Sequence, residues 1–419
     1  MLIAGIVVLA IVVVLLVFNL TTGAKKIKRE LAHLYGVADP QFVRTIGTLL
    51  GPALVPGNRV EALYNGDMIF PAMLSTIRAA QRSVTFETYI YWSGEVGREF
   101  ADALADRARA GVKVHVLIDA VGAAKIDGEA LDVMKLAGVE IETFRPVRWY
   151  TLGKLNNRTH RKLLVIDGRV GFTGGVGIAD LWRGNAQDPE HWRDSHFRVE
   201  GPAVGQMQGA FMDHWITARS VVLHGDDYFP HLDSVGEQQA QTFRSGADDG
   251  VESVRLMYLL SLTAATRSIR IANAYFVPDD LTVETLIAAR ERGVTVEVLV
   301  PGRHSDSTLV RNASRARWGP LLQAGVQISE YRPTMYHCKV MIVDDCWTSV
   351  GSTNFDNRSF RLNDEANLNI LDGDFARGES RQFAADLALA KRITLESWQR
   401  RPWREKMLEH LSALLRSQL

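Results

Sequence analysis

Apolar and polar positions alternate along most of this chain in short blocks, and the blocks come in matched pairs. Ser83-Val84-Thr85-Phe86-Glu87-Thr88-Tyr89-Ile90 and Ser268-Ile269-Arg270-Ile271-Ala272-Asn273-Ala274-Tyr275 each read as a strand. Gly111-Val112-Lys113-Val114-His115-Val116-Leu117-Ile118 answers to Gly293-Val294-Thr295-Val296-Glu297-Val298-Leu299-Val300. Gly138-Val139-Glu140-Ile141 answers to Gly325-Val326-Gln327-Ile328. Residues 99–110 and 281–292, between these blocks, read as helices. A near-constant offset between the copies points to gene duplication. Each half alternates strand and helix, which predicts an α/β layer architecture. The first lobe is expected over 58–233 and the second over 251–419. The stretch 234–250, rich in Gln, Ser, Gly and Asp, is expected to link them.

The pattern changes at both ends. Residues 2–20 are uncharged and almost wholly apolar, close to the ~20 residues that a membrane-spanning helix needs. Lys25, Lys26, Lys28 and Arg29 follow. Charge before the run, a short core and a small-residue cleavage site, the marks of a removed signal, are missing. Residues 1–22 therefore read as a single uncleaved N-terminal transmembrane helix. Its basic flank predicts that the following lobes lie on the cytoplasmic side of the membrane. In the juxtamembrane segment 23–57, Phe42, Ile46, Leu49 and Leu50 recur at helical spacing before Pro52 and Pro56. Two placements fit it equally, along the bilayer surface or against the globular body. The stretch after Gly373 also reads as helical, and Trp398, Trp403, Leu408, Leu411, Leu414 and Leu415 make part of it amphipathic. It suits either the membrane interface or the protein core.

Composition narrows the function. The chain has 419 residues, 47% of them hydrophobic, enough for two sizeable cores. Basic and acidic residues balance at 48 each, so the basic surface that nucleic acid demands is not indicated. Cys338 and Cys346 are the two cysteines and fall in one predicted hairpin. They form no disulfide framework and are too few for a metal site.

The candidate chemistry lies in His337-Cys338-Lys339-Val340-Met341-Ile342-Val343-Asp344 and the following Gly351-Ser352-Thr353-Asn354. Residues 335–343 read as a strand, whose alternation puts His337 and Lys339 on one face and Cys338 on the other. Asp344 and Asp345 supply a turn, and 347–350 forms a second strand. It ends where Gly351 and Ser352 leave backbone N–H groups open to an anion. A lone His-x-Lys means nothing. Here it is repeated: His160-Arg161-Lys162-Leu163-Leu164-Val165-Ile166-Asp167 has the same spacing, with Gly174-Gly175 at the matching offset. This paired motif resembles the defining feature of the phospholipase D superfamily.

The resemblance implies two duplicated phospholipase D-like α/β lobes sharing one active site at their interface. One imidazole attacks phosphorus to form a phospho-histidine, and the other protonates the departing alcohol and then deprotonates its successor. By analogy the N-terminal motif supplies the nucleophile, His160, and His337 is the acid and base; the internal symmetry allows the reverse. Lys162 and Lys339 would hold the phosphate oxygens. With those cations no metal or other cofactor is required. Gly175, Ser352 and Asn354 are candidate phosphate donors. Asp167 and Asp344 belong to the motif as catalytic candidates, with a structural role in the hairpin turns as the other reading. The family orients each His with an acid on the next strand, which Asp194 and Glu365 fit after the first and second motifs, with Asp364 as a rival to Glu365. The first motif departs from the pattern, with Gly177 where Asn is expected.

Longer stretches are similar to bacterial cardiolipin synthases. They are Glu87-Thr88-Tyr89-Ile90, Trp192-Arg193-Asp194-Ser195-His196, Tyr275-Phe276-Val277-Pro278-Asp279 and Gly351-Ser352-Thr353-Asn354-Phe355-Asp356-Asn357-Arg358-Ser359. That similarity implies transfer of a phosphatidyl group between two phosphatidylglycerol molecules at a lipid bilayer, giving cardiolipin and glycerol. The alternatives are a phospholipase D that hydrolyses the same esters, a nuclease of the superfamily, and an inactive membrane scaffold.

Overall fold

The structure is a computed structural model that describes residue 27 and residues 29–146, 157–246 and 252–415. Fifteen strands among the described residues form one mixed sheet. The first half contributes β1 (Val55–Tyr64), β2 (Ser83–Thr88), β3 (Lys113–Asp119), β4 (Glu140–Phe144), β5 (Leu163–Ile166), β6 (Val170–Gly174) and β7 (Ser195–Glu200). The second contributes β8 (Gln238–Ser245), β9 (Ser268–Asn273), β10 (Thr295–Pro301), β11 (Gln327–Tyr331), β12 (Lys339–Val343), β13 (Trp347–Gly351), β14 (Glu365–Leu371) and β15 (Ala390–Ile393).

An antiparallel β1–β8 pair sits at the middle of the sheet. Outward on one side run β7, β6, β5, β2, β3 and β4, and on the other β14, β13, β12, β9, β10 and β11, with β15 added at the edge. Adding seven to each label of the first series gives the second. Directions agree as well: β2–β3 and β9–β10 are parallel, β2–β5 and β9–β12 antiparallel. The internal repeat is therefore a structural duplication.

Helices cover both faces, and this is why the strands read as nearly continuous apolar runs. In β12, Met341 and Val343 enter the core of the second half, while Val340 and Ile342 enter a core shared by both halves. β5 divides Leu164 and Ile166 from Leu163 and Val165 in the same way. Helices Ala203–Arg219 and Gly373–Ala388 flank the shared core. Gly111, Gly138, Gly293 and Gly325, which open the matched blocks, have φ between 86° and 94°. Each turns a helix into a strand in a conformation that costs other residues.

The structure alters several expectations. The segment 234–250 is no simple linker, because β8 lies within it and pairs with β14 and β1 at the centre of the sheet. The strand expected from 335 starts at Lys339, since the residues before it bond to the other half of the molecule. Helix Pro40–Leu50 starts on an Asp39 cap and buries Phe42 and Ile46 against the second half, Phe42 meeting Trp347 edge-on at 5.0 Å. That favours the globular body over the bilayer for this helix.

The C-terminal stretch is interrupted by β15, which pairs with β11. Trp398 docks on the body, its indole N–H donating to the Arg315 carbonyl at 2.9 Å. Helix Trp403–Leu414 is held by its polar side, Glu409 accepting from Arg315 at 3.0 Å and from Arg401 at 2.7 Å. Its opposite side leaves Trp403, Met407, Leu411 and Leu414 exposed. Among the described residues no helix is long and apolar enough to cross a membrane, and the anchor expected over 1–22 lies outside them.

Candidate active site

Two short backbone bridges cross from half to half in front of β5 and β12. The His160 N–H donates to the Asp364 carbonyl at 2.8 Å, and the Asp364 N–H donates to Arg158 at 2.9 Å. Their counterparts are the Arg193 N–H to Met335 at 2.9 Å and the His337 N–H to Arg193 at 2.8 Å. Each histidine is thus tied to the residue just before an acid of the opposite half. His160 Nδ1 lies 3.1 Å from both carboxylate oxygens of Glu365, and His337 Nδ1 lies 2.7 Å from Asp194 Oδ2. Both acids are brought to the site, but the order in the chain suggested that each would serve its own half. The bridges exchange them.

Each carboxylate has further support. Asp194 also accepts from the Trp182 indole N–H at 2.9 Å and the Ser195 N–H at 2.8 Å. Glu365 accepts from Ser352 Oγ at 2.5 Å. Burial raises the pKa of both acids, but the adjacent imidazoles and nearby lysines outweigh it and hold them below the usual carboxylate range. Ionised carboxylates only accept, so each Nδ1 carries the ring hydrogen and each Nε2 keeps its lone pair.

Burial pushes His160 down to about 4, with Lys162 and Lys339 acting the same way and Glu365 opposing. Burial and Lys339 also lower His337. Lys162 falls to about 7, through burial and then repulsion from Lys339. Burial thus favours neutral imidazoles and weakens the ammonium groups, a field that a phosphate anion beside them relieves. Lys162 Nζ donates to the His160 carbonyl at 2.9 Å, and Lys339 Nζ donates to the His337 carbonyl at 2.6 Å, within 3.3 Å of both ring nitrogens.

His160, Lys162, His337 and Asn354 line one cavity of about 540 Å³. Asn354 is buried, and its Oδ1 lacks a partner among the described residues. Tyr89 meets His160 edge-on at 5.2 Å, while Trp182 and Trp192 lie 5.3 and 5.4 Å from the His337 ring. Tyr89 and Trp192 stand in stretches already singled out in the sequence, but nothing local marks them as ring contacts. Trp182 had no signal at all. Cys338 turns away into the shared core.

Four candidates play other roles. The Gly175 and Ser352 N–H groups are not open to an anion, because they donate to the Ser195 and Ala366 carbonyls. A Cβ on Gly175 would lie 2.2 Å from Asp194 Oδ1, so this glycine makes room for the Asp194 carboxylate, whereas its counterpart Ser352 hydrogen-bonds the other acid, Glu365. Asp167 and Asp344 sit at the far ends of β5 and β12, about 20 Å along the chain from the histidines. Asp167 accepts from the N–H groups of Gln81, Arg82 and Ser83. Asp344 does the same for Thr266, Arg267 and Ser268. They staple the entrances of β2 and β9. Asp344→Ala should lower stability by about 3 kcal/mol by orphaning those donors, with kcat of the folded fraction unchanged. Urea unfolding alongside active-site-normalised rates checks this, and a selective loss of kcat would return Asp344 to the chemistry.

Gly177 occupies the place of Asn354 in the first half. An added Cβ there would lie 2.8 Å from Ile90 Cβ and 3.2 Å from the Trp182 ring. The side chain missing from this motif is replaced by the tryptophan that braces Asp194.

Residues 73–183 and 258–387 match the family described as cardiolipin synthase, PLD-like domain. The chain is 36% identical to the cardiolipin synthase of Geobacillus kaustophilus over 361 residues, covering 85% of this chain and 72% of that one. It is 34% identical to cardiolipin synthase 1 of Bacillus cereus over 374 residues, 87% and 73% of the two chains. Among solved structures, the phosphatidylserine synthase of Haemophilus influenzae superposes with a TM-score of 0.67 at 14% identity, covering 90% of this chain and all of that one. That likeness is one of fold.

Proposed function

The chain belongs to the cardiolipin synthase family of phospholipase D-like proteins, and from that premise we propose that it joins two phosphatidylglycerol molecules into cardiolipin and glycerol. The observation that carries the proposal is the pair of imidazoles facing one cavity, each with Nδ1 fixed by the other half's carboxylate. His160 Nε2 attacks the donor phosphorus and forms a P–N bond as the P–O bond to glycerol breaks. His337 delivers the proton to the departing oxygen. Entry of the phosphodiester anion favours that protonated form, against the burial that depresses it. The headgroup hydroxyl of a second phosphatidylglycerol then loses its proton to His337, attacks phosphorus and releases His160. Lys162, Lys339 and Asn354 hold the non-bridging oxygens, whose charge changes little in total but moves between atoms.

Transfer is preferred to hydrolysis because the first-half side of the cavity beside the rings is largely aromatic: Tyr89, Trp92 and Trp192 keep water scarce beside the intermediate. Purified protein given labelled phosphatidylglycerol in vesicles tests the proposal. Cardiolipin as the main product supports it; phosphatidic acid alone would mark a phospholipase D.

Both substrates live in a bilayer. The proposed attachment is the span at 1–22, with the lobes on the cytoplasmic face, aided by the outward side of helix Trp403–Leu414. There Trp403, Met407, Leu411 and Leu414 lie on one stripe beside the exposed Arg404, the mixture that favours an anionic lipid interface. Leu411→Ser with Leu414→Ser should reduce co-sedimentation with phosphatidylglycerol vesicles at least about threefold, since each buried side chain contributes on the order of 1 kcal/mol or more. Unchanged binding would remove this helix from the interface.

A further inference from the structure

Duplication lets the two walls of the cavity be compared position by position, and they differ in kind. β2 and β9 start at Ser83 and Ser268, so Ile90 and Tyr275 are counterparts. The next residues, Tyr91 and Phe276, bridge to Ile178 and Phe355. Counting on from those partners pairs Gly177 with Asn354 and Leu181 with Arg358. The loops after β3 and β10 are also equivalent; one brings Val121 and Ala124 to the cavity, the other Asp306. The first half therefore offers Ile90, Leu181, Val121 and Ala124. The second offers Tyr275, Asn354, Arg358 and Asp306 at the matching places.

We infer that the second-half wall is a polyol subsite, in which Tyr275, Asp306 and Asn354 bind the hydroxyls of the leaving and then of the incoming glycerol headgroup, while the first-half wall seats the acylated glycerol. The inference rests on the proposed function and adds to it the site's choice of alcohol. Tyr275 Oη donates to Asp306 Oδ2 at 2.6 Å, which aims the carboxylate. Asp306 is exposed at the cavity and retains acceptor capacity for neighbouring hydroxyls. Asn354 adds a buried amide whose oxygen awaits a donor. Ile90, Leu181, Val121 and Ala124 offer no partner for a hydroxyl, so a headgroup placed against them would leave its oxygens unpaired, and the polar groups of that half, Lys125 and Tyr89, lie outside these four places. Position along the reaction agrees. Burial depresses His337 and Lys339, and Asp306 is among the charges opposing it. Asp306 therefore acts on the imidazole proposed to serve the departing and incoming alcohol, with which it shares the cavity.

The test is a partition experiment on the full-length protein. A phosphatidyl ester of p-nitrophenol generates the covalent intermediate without a polyol headgroup. Equimolar glycerol and 1-propanol then compete for it, and the ratio of the two phosphatidyl products is read independently of overall rate. The native protein should favour glycerol, and Asp306→Asn and Tyr275→Phe should each reduce that ratio by about tenfold, as expected where a site's polar groups are built to meet hydroxyls. Tyr275→Phe removes one oxygen only and guards against a folding artefact at Asp306. A ratio unchanged in both variants, or a native protein indifferent between the alcohols, overturns the subsite. A native protein that selects glycerol but makes no cardiolipin would overturn the proposed function and leave the subsite standing.

Discussion

His337→Ala should lower phosphatidylglycerol turnover by about a thousandfold or more, yet still release one equivalent of nitrophenol from a phosphatidyl ester of p-nitrophenol. Glycerol is a poor leaving group and needs the proton that this imidazole supplies; nitrophenolate departs without it. Without a base to activate the acceptor, the second step stalls, and the chain should accumulate a phosphatidyl group on His160, visible by mass spectrometry. His160→Ala should abolish turnover of both substrates with no burst, because no P–N bond can form. Both variants should keep the native circular dichroism spectrum, since each ring stands at the cavity edge of a shared core that it does not fill. A burst in His160→Ala and none in His337→Ala would exchange the roles. Full activity in either variant would end the scheme of two imidazoles.

The second large effect concerns the acids. Asp194→Asn and Glu365→Gln keep shape and lose charge, and each should cost about a hundredfold to ten-thousandfold by unsettling the tautomer and orientation of its imidazole. The crossing predicts which imidazole suffers. Asp194 holds His337, so Asp194→Asn should behave like His337→Ala, poor with phosphatidylglycerol but retaining the nitrophenol burst. Glu365 holds His160, so Glu365→Gln should lose the burst as well. The opposite pairing of phenotypes would sink the crossed arrangement, whatever the absolute rates.

The repeat and the two His-x-Lys elements were legible because they are local patterns written twice. Matched spacings survive in the sequence, and the strand order repeats in the fold. The identities of Asp194 and Glu365 were legible from the resemblance; their partners were not. His160 and Glu365 are 205 residues apart, and their meeting depends on a backbone bridge with no side-chain signature. Gly175 and Ser352 misled for a related reason. Small residues suggest open amides, but whether an amide is open depends on the strand beside it, and β7 and β14 consume both. Asp167 and Asp344 share the motif's spacing because the hairpin needs them, and spacing alone does not separate a staple from a catalyst. The seam was read as a spacer from its polar composition, although β8 is a central strand. Four successive residues, Ala240 to Phe243, are buried there, Gln241 and Thr242 among them although polar by name.

The exchanged carboxylates have a consequence for ancestry. A solitary ancestral half could not have completed its own imidazole, so it must have worked as two identical copies, each lending the other an acid. Fusion into one gene released the copies from identity while the loan remained binding. Mutation could then change the chamber's sides independently, greasy on one flank and hydrophilic on the other, without disturbing the handshake at its floor. An enzyme whose donor and acceptor are alike gains its sense of direction from that freedom.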